Sequence, residues 1–183
     1  MLNNPTVEKL RDLKLKVMAQ MLSDSDNSLR DLSFEDRLGL MVEKEWLSKK
    51  NSRIKRLIHS ANFGQNACME DIDYDTERKI DKKTIQLLSS CAFIEQKLNV
   101  VISGKTGCGK SYISCAIGHN ACRHGYSVKY YRIPEILLEI QDAKVENRYS
   151  KFILYLQNIK LLILDDIGLK PYSLEESRDI LEI

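Results

Sequence analysis

Proline is scarce in this chain, with three in 183 residues, and glycine stands at eight. Such small shares exclude collagen-like and Pro/Gly-rich disordered chains. Long apolar runs are missing too. The strongest, Asn99–Ser103 and Leu161–Leu164, fall far short of the roughly 20 residues that span a bilayer. The first residues, MLNNPTVEKLRDLK, lack a basic start followed by an apolar core, so no secretory signal is expected. Charge of one sign does not dominate: 28 Lys+Arg face 26 Asp+Glu, and a polyanion would have to be met by a local basic patch. The five cysteines are odd in number and lack CxxC or Cys/His zinc spacing, so reduced thiols in a cytoplasm are expected. Of these, Cys115 and Cys122 suit packing on a helix. The three histidines, His59, His119 and His124, have no companions at metal-ligand spacing. With 43% apolar and 30% charged residues, the composition suits one ordinary domain, or a small domain with a helical extension.

Residues 1–97 read as helical. Pro5 suits a first helical turn, and Leu10, Leu13, Val17 and Met21 repeat at helical spacing. A polar run, Ser23–Ser28, breaks this stripe. Ser33-Phe-Glu-Asp36 resembles a capping box and opens a long helix to about His59. Asn62 to Ile80 reads as an irregular acidic link, and Lys82 to about Phe93 as a short helix. From residue 98 the pattern changes. Val100–Ser103, Ser127–Arg132 and Leu161–Leu164 read as strands, separated by helices over Lys110–His124, Pro134–Asp142 and Tyr149–Gln157. Ser173-Leu-Glu-Glu176 caps a final helix. Strands alternating with helices predict a parallel α/β sheet over residues 98–183, preceded by an all-α region.

Gly104-Lys105-Thr106-Gly107-Cys108-Gly109-Lys110-Ser111 satisfies the P-loop pattern G-x4-G-K-[ST] in full. Its glycines let the backbone turn its N–H groups toward phosphates, and the helix that follows adds its positive end. Lys110 is suited to neutralising the terminal phosphate, and the Ser111 hydroxyl to ligating Mg²⁺. The second motif is Leu161-Leu-Ile-Leu-Asp165-Asp166, a strand ending in two carboxylates. Asp165 suits the magnesium role of a Walker B acid, and Asp166 the orientation of an attacking water. A strand lies between the two motifs and no Asn-Lys-x-Asp guanine motif is present, so ATP is the expected nucleotide. On the long helix, Lys49, Arg53 and Arg56 fall at i, i+4, i+7, thickened by Lys50 and Lys55. This basic ridge reads either as a solvated face or as a phosphate-backbone surface. Leu47, Ile54 and Ile58 lie on another face, suited to packing, and Trp46 reads as an anchor to neighbouring helices.

Leu32-Ser-Phe-Glu-Asp-Arg-Leu38, Glu43-Lys-Glu45 running into Lys49-Lys-Asn-Ser-Arg53, Ile94–Val100, Ala116–Val128 and Leu161–Gly168 give the chain a specific resemblance. It resembles the IstB-like ATP-binding proteins, helper ATPases of insertion-sequence transposition related to DnaC-type helicase loaders. The resemblance implies an incomplete AAA+ type P-loop NTPase sheet, ATP and Mg²⁺ as ligands, and a protein that self-associates on double-stranded DNA. It also implies assistance to the transposase of the same element and no membrane partner, and it tips the ridge of Lys49, Lys50, Arg53 and Arg56 toward DNA. Family members continue into a sensor strand, a trans-acting arginine and a lid, whereas this sequence stops at Ile183. The expectation is therefore a truncated product that binds ATP and hydrolyses it poorly, and enzymatic turnover stays open. Two rivals share these motifs: a replicative helicase loader, and a non-catalytic remnant that keeps DNA or protein binding.

Overall fold

The computed structural model describes residues 5–24, 32–74 and 80–183. Most of the expected polar loop Ser23–Ser28 and two acids of the link, Asp75 and Glu77, lie outside the described residues. The chain divides into two compact units, Met1–Lys55 and Arg56–Ile183. The expected change of character near residue 97 falls inside the second unit, where Leu57, Ile58, Ile72 and Ile85 pack with the α/β part.

In the first unit, the stripe expected from Leu10 to Met21 forms two short helices, α1 (Pro5–Asp12) and α2 (Lys16–Ser23). Hydrogen bonding explains the break. The Leu15 amide donates to Leu10 O at 2.8 Å and the Lys14 amide to Arg11 O at 2.9 Å, with Lys14 at φ +60°. This is a Schellman closure with lysine in the left-handed position. Helix α3 (Phe34–Ala61) starts as the sequence predicts: the Asp36 amide donates to Ser33 Oγ at 3.1 Å. The Ser33 hydroxyl in turn donates to the Asp36 carboxylate at 2.6 Å. Glu45 of α3 is buried and accepts from the Val17 and Met18 amides at 2.8 and 3.1 Å. Its carboxylate therefore caps the first turn of α2, where the unpaired amides and helix dipole favour an anion.

The second unit is built on a parallel pair of strands, β1 (Val128–Arg132) and β2 (Leu161–Asp165), in the register Val128↔Leu161 to Arg132↔Asp165. Alternate residues point to opposite faces, and each face has its own apolar cluster. Val128, Tyr130 and Ile163 pack with Cys115, Ala116, Ala121 and Cys122 of helix α6 (Lys110–Arg123). Tyr131, on the other face, packs with Ile133, Ile136 and Ile140 of α7 (Ile133–Val145) and Phe152 and Leu156 of α8 (Tyr149–Gln157). Cys115 and Cys122 are fully buried, as packing residues should be, and burial pushes the Cys122 thiol up to about 11. The acidic link also builds core. Ala67 and Ile72 flank a single 3₁₀ turn at Met69–Asp71 and join the α6 cluster, with Ile85 of α4 (Lys82–Ser89) and Cys91, just before α5 (Ala92–Glu95). Glycine ends α6 as predicted, with Gly125 at φ +90° and the Tyr126 amide on Ala121 O at 3.0 Å. Helix α9 (Leu174–Glu182) carries the complete Ser173/Glu176 capping box.

One expected strand is absent. Val100–Ser103 takes no strand conformation, and Val101 is 88% exposed. An apolar β-branched run becomes a strand only when a neighbouring edge offers it a ladder. Among the described residues β1 and β2 pair with each other, and residues 100–103 join neither. The mixed α/β character of a P-loop NTPase is present nonetheless, as a mostly helical body around a small parallel sheet.

Candidate nucleotide site

The phosphate-loop sequence forms a tight turn into α6. Gly107 and Gly109 sit at φ +79° and +92°, a region L side chains rarely enter. A Cβ placed on Gly104 would lie 2.9 Å from Cys108 Sγ, so the loop closes on itself there. Gly109 is the N-cap residue of α6 and supplies no side-chain cap. The first-turn amides of Lys110, Ser111 and Tyr112 therefore have no partner within the helix, which is the condition for anion binding. Lys110 Nζ donates to Lys105 O at 2.9 Å, tying the lysine across its own loop. Gly104, Lys105, Thr106 and Gly107 are exposed, and Cys108 to Ser111 are half-buried.

Asp165 ends β2, on the face toward α6. There the Ser111 hydroxyl and Lys110 lie close enough to act on its carboxylate and favour the ionised form. Tyr130 Oη donates to Asp165 Oδ2 at 2.7 Å, and the Asp166 amide donates to Asp165 Oδ1 at 2.8 Å. Burial pushes the Asp165 carboxyl up, but the Ser111 hydroxyl, the bonds from Tyr130 and the Asp166 amide, and the lysine outweigh it and hold the group below the ordinary aspartate value. Burial, and then the bond to Asp165, push the Tyr130 phenol far above its usual range, so it stays a neutral donor. Asp166 stands at φ +59° and accepts from Arg132 Nε at 2.5 Å. Ser111 and Lys110 thus lie near Asp165, which is far from them in sequence, whereas the Asp166 carboxylate is turned to Arg132.

A hydroxyl beside an ionised carboxylate offers the hard oxygen donors that Mg²⁺ prefers, and that ion normally completes its shell with water and phosphate. No cluster of three or more His, Cys, Asp or Glu able to hold a metal occurs among the described residues. An ion of this kind would therefore depend on the nucleotide as well as the protein. In the sequence Tyr130 reads as an ordinary strand aromatic and Arg132 as a strand end. Alternation in β1 signals a strand and not what the strand end faces. Only the register, which sets Arg132 opposite Asp165, shows it.

The basic ridge belongs to α3. Lys49, Lys50, Arg53 and Arg56 are all exposed, Lys49 lying 3.9 Å from Glu45. Trp46 departs from its expected anchoring role: it is 57% exposed, with Lys50 Nζ 4.9 Å from the ring centroid. Leu47 is exposed as well, whereas Ile58 packs on the α6 cluster as expected. The reason is that α1 and α2 are short and cover only the side of α3 that carries Met41 and Glu45. None of the described helices is long and apolar enough to cross a membrane.

Comparison with known proteins agrees with this geometry. The sequence model of the family described as "IstB-like ATP binding protein" matches residues 8–183. The relative named "Putative insertion sequence ATP-binding protein y4pL", from Sinorhizobium fredii, is 36% identical over all of this chain and 76% of its own length. "Insertion sequence IS1162 putative ATP-binding protein" from Pseudomonas fluorescens is 34% identical over all of this chain and 80% of its own. A second Sinorhizobium fredii protein, "Putative insertion sequence ATP-binding protein y4uH", is 35% identical over all of this chain and 75% of its own. With a P-loop turned into α6, an acid pair at the end of the neighbouring strand and a match across nearly every residue, this chain belongs to the IstB-like ATP-binding proteins of insertion sequences.

Proposed function

We propose that this chain binds Mg·ATP between the Gly104–Ser111 loop and Asp165, and serves as the ATP-dependent helper of a transposase. The observation that carries the nucleotide reading is the Gly107–Gly109 turn opening α6, with Ser111 and Lys110 close to the Asp165 carboxylate. The loop's amides cradle the phosphates, and Lys110 leaves Lys105 O for the terminal phosphate. Ser111 and Asp165 hold Mg²⁺, directly or through its water shell. When bound, Mg²⁺ neutralises charge on the phosphate oxygens. Asp166, free of metal duty, orients the attacking water.

On this reading the exposed Lys49, Lys50, Arg53 and Arg56 meet the phosphates of double-stranded DNA without reading its sequence. Copies of the chain associate along that DNA, and the transposase of the same insertion sequence is the protein partner. The names of the relatives support an insertion-sequence role over helicase loading. Hydrolysis by the isolated chain is slow, because an arginine supplied across a subunit interface is worth about 10³–10⁵ in rate and a lone chain supplies none in trans.

Equilibrium dialysis with ATP tests the nucleotide site: Lys110→Ala should weaken binding at least about tenfold, because a charged phosphate partner is lost. Equal binding by both proteins would remove the reading. Retention of the purified transposase, but not of a replicative helicase, by the tagged chain is the corresponding partner test. A malachite-green phosphate assay showing rapid turnover by the isolated chain would contradict the slow-hydrolysis expectation.

A further inference from the structure

We propose that the groove beside Trp46 on α3 is a stacking site for an unpaired nucleobase of the DNA whose phosphates the neighbouring basic residues hold. The proposal rests on the reading of Lys49, Lys50 and Arg53 as a phosphate surface given above. Trp46 is the single tryptophan of the chain, and its indole is exposed where an anchor would be buried. Val42 and Leu38, one and two turns before it, are exposed as well. Together with Glu35, Gly39 and Glu43 they line a shallow groove that ends at the indole. Gly39 keeps the floor of this groove open, since a Cβ there would meet nothing within 4 Å.

Residues three and four apart on a helix share a face. Val42, Trp46, Lys49, Lys50 and Arg53 therefore form one exposed strip, apolar at its start and cationic at its end. The two parts touch, with Lys50 Nζ 4.9 Å from the indole centroid. This sequence of surfaces selects the occupant. An apolar side chain of another protein would use Leu38 and Val42 and gain nothing from the cations. A nucleotide uses both parts: its base stacks on the indole, and its phosphate falls roughly 5 Å further on, one helical turn away, at Lys49 and Lys50. The next phosphate along the strand meets Arg53. Glu35 and Glu43, exposed on the groove, repel phosphate, so the base enters and the backbone stays at the cations. Glu43 also accepts from the exocyclic amino group of a base, as carboxylates do from cytosine. Thymine has no such group and is disfavoured. A base inside an intact duplex is stacked and paired, so only an extruded or single-stranded one fits.

Intrinsic fluorescence of the full chain tests this, because Trp46 is its sole tryptophan. Saturation with a short single-stranded deoxycytidine oligomer should quench the emission at least about twofold, and saturation with a fully paired duplex should leave it nearly unchanged. In gel shifts at one salt concentration, Trp46→Ala should weaken retention of the oligomer about tenfold and that of the duplex less than about twofold. Trp46→Phe should recover part of the loss. Gly39→Leu fills the groove and favours the helix, so it should keep the fold by circular dichroism and weaken the oligomer in the same way. Glu43→Gln should narrow the preference for deoxycytidine over thymidine oligomers. Unquenched emission at saturation, or oligomer binding by Trp46→Ala equal to the native chain's, would overturn the proposal and leave the phosphate surface standing. Failure of the native chain to retain either DNA would remove the phosphate surface and this site with it. Emission that changes with protein concentration and not with DNA would place a second copy in the groove, and would also overturn the proposal.

Discussion

At the phosphate loop one sulfur and one missing carbon share the same space. Gly104 has room for a hydrogen and not for a methyl group, because Cys108 Sγ lies 2.9 Å from where its Cβ would be. Gly104→Ala should therefore weaken ATP binding about tenfold by pushing the loop open. Adding Cys108→Ala, which removes the sulfur, should recover part of that loss, the remainder being the strain of alanine at φ +157°. Equilibrium dialysis of the three proteins checks both statements. His119 has a packing role: it is buried, stacked on Phe63 with ring centroids 4.2 Å apart, and burial lowers its pKa.

Among the elements, α6 packs tightly against Phe63 and β2 at Gly118. A Cβ there would lie 2.5 Å from Phe63 Cε1 and 2.8 Å from Ile163 Cδ1. Gly118→Ala gains about 1 kcal/mol of helix propensity and loses about 1–3 kcal/mol to overpacking. Clashes from two sides place the loss at the upper end, so the urea midpoint should fall. Helices α7 and α9 are joined differently, by Lys144 on the buried carboxylate of Asp179 at 2.8 Å and on Glu175 at 3.0 Å. The bond to Asp179 and then that to Glu175 raise Lys144 to about 12. A cation whose pKa is raised by folding stabilises the fold fully below the unfolded value of about 10.4 and loses that contribution as pH climbs through the folded value. Thermal midpoints of the native chain should thus fall more steeply between about pH 10.4 and 12 than those of Lys144→Met. At pH 7 that variant should be less stable by about 1–3 kcal/mol, because Asp179 is left buried without its donor.

For the molecule as a whole, the division at Lys55 separates two sets of charges. The phosphate loop and acid pair lie in Arg56–Ile183, and Lys49, Lys50 and Arg53 lie in Met1–Lys55. Both apolar clusters belong to the second unit. A fragment of residues 56–183 should therefore unfold cooperatively and bind ATP within about threefold of the full chain. In the full chain, Lys49/Arg53/Arg56→Glu should abolish gel-shift retention of duplex DNA and leave ATP affinity unchanged. Native binding should fall steeply with added salt, as phosphate contacts require. Non-cooperative melting of the fragment would show that its core needs residues 1–55.

Local chemistry wrote several features directly into the residue order. The phosphate loop, the acid pair, the Ser173 capping box, the glycine stop after α6 and the run of α3 each depend on neighbours a few positions away, so spacing alone reveals them. Other features depend on what the folded chain sets beside a segment. Val100–Ser103 has the composition of a strand, yet it has no ladder among the described residues. Trp46 has the bulk of an anchor, but α1 and α2 cover another side of its helix. The stripe through Leu13 has helical period, yet backbone hydrogen bonds around Lys14 divide it. Arg132 reads as an ordinary strand end until parallel register sets it beside the acids. Periodicity records which face a residue shares, whereas pairing, coverage and register arise between segments and exist only once the chain has folded.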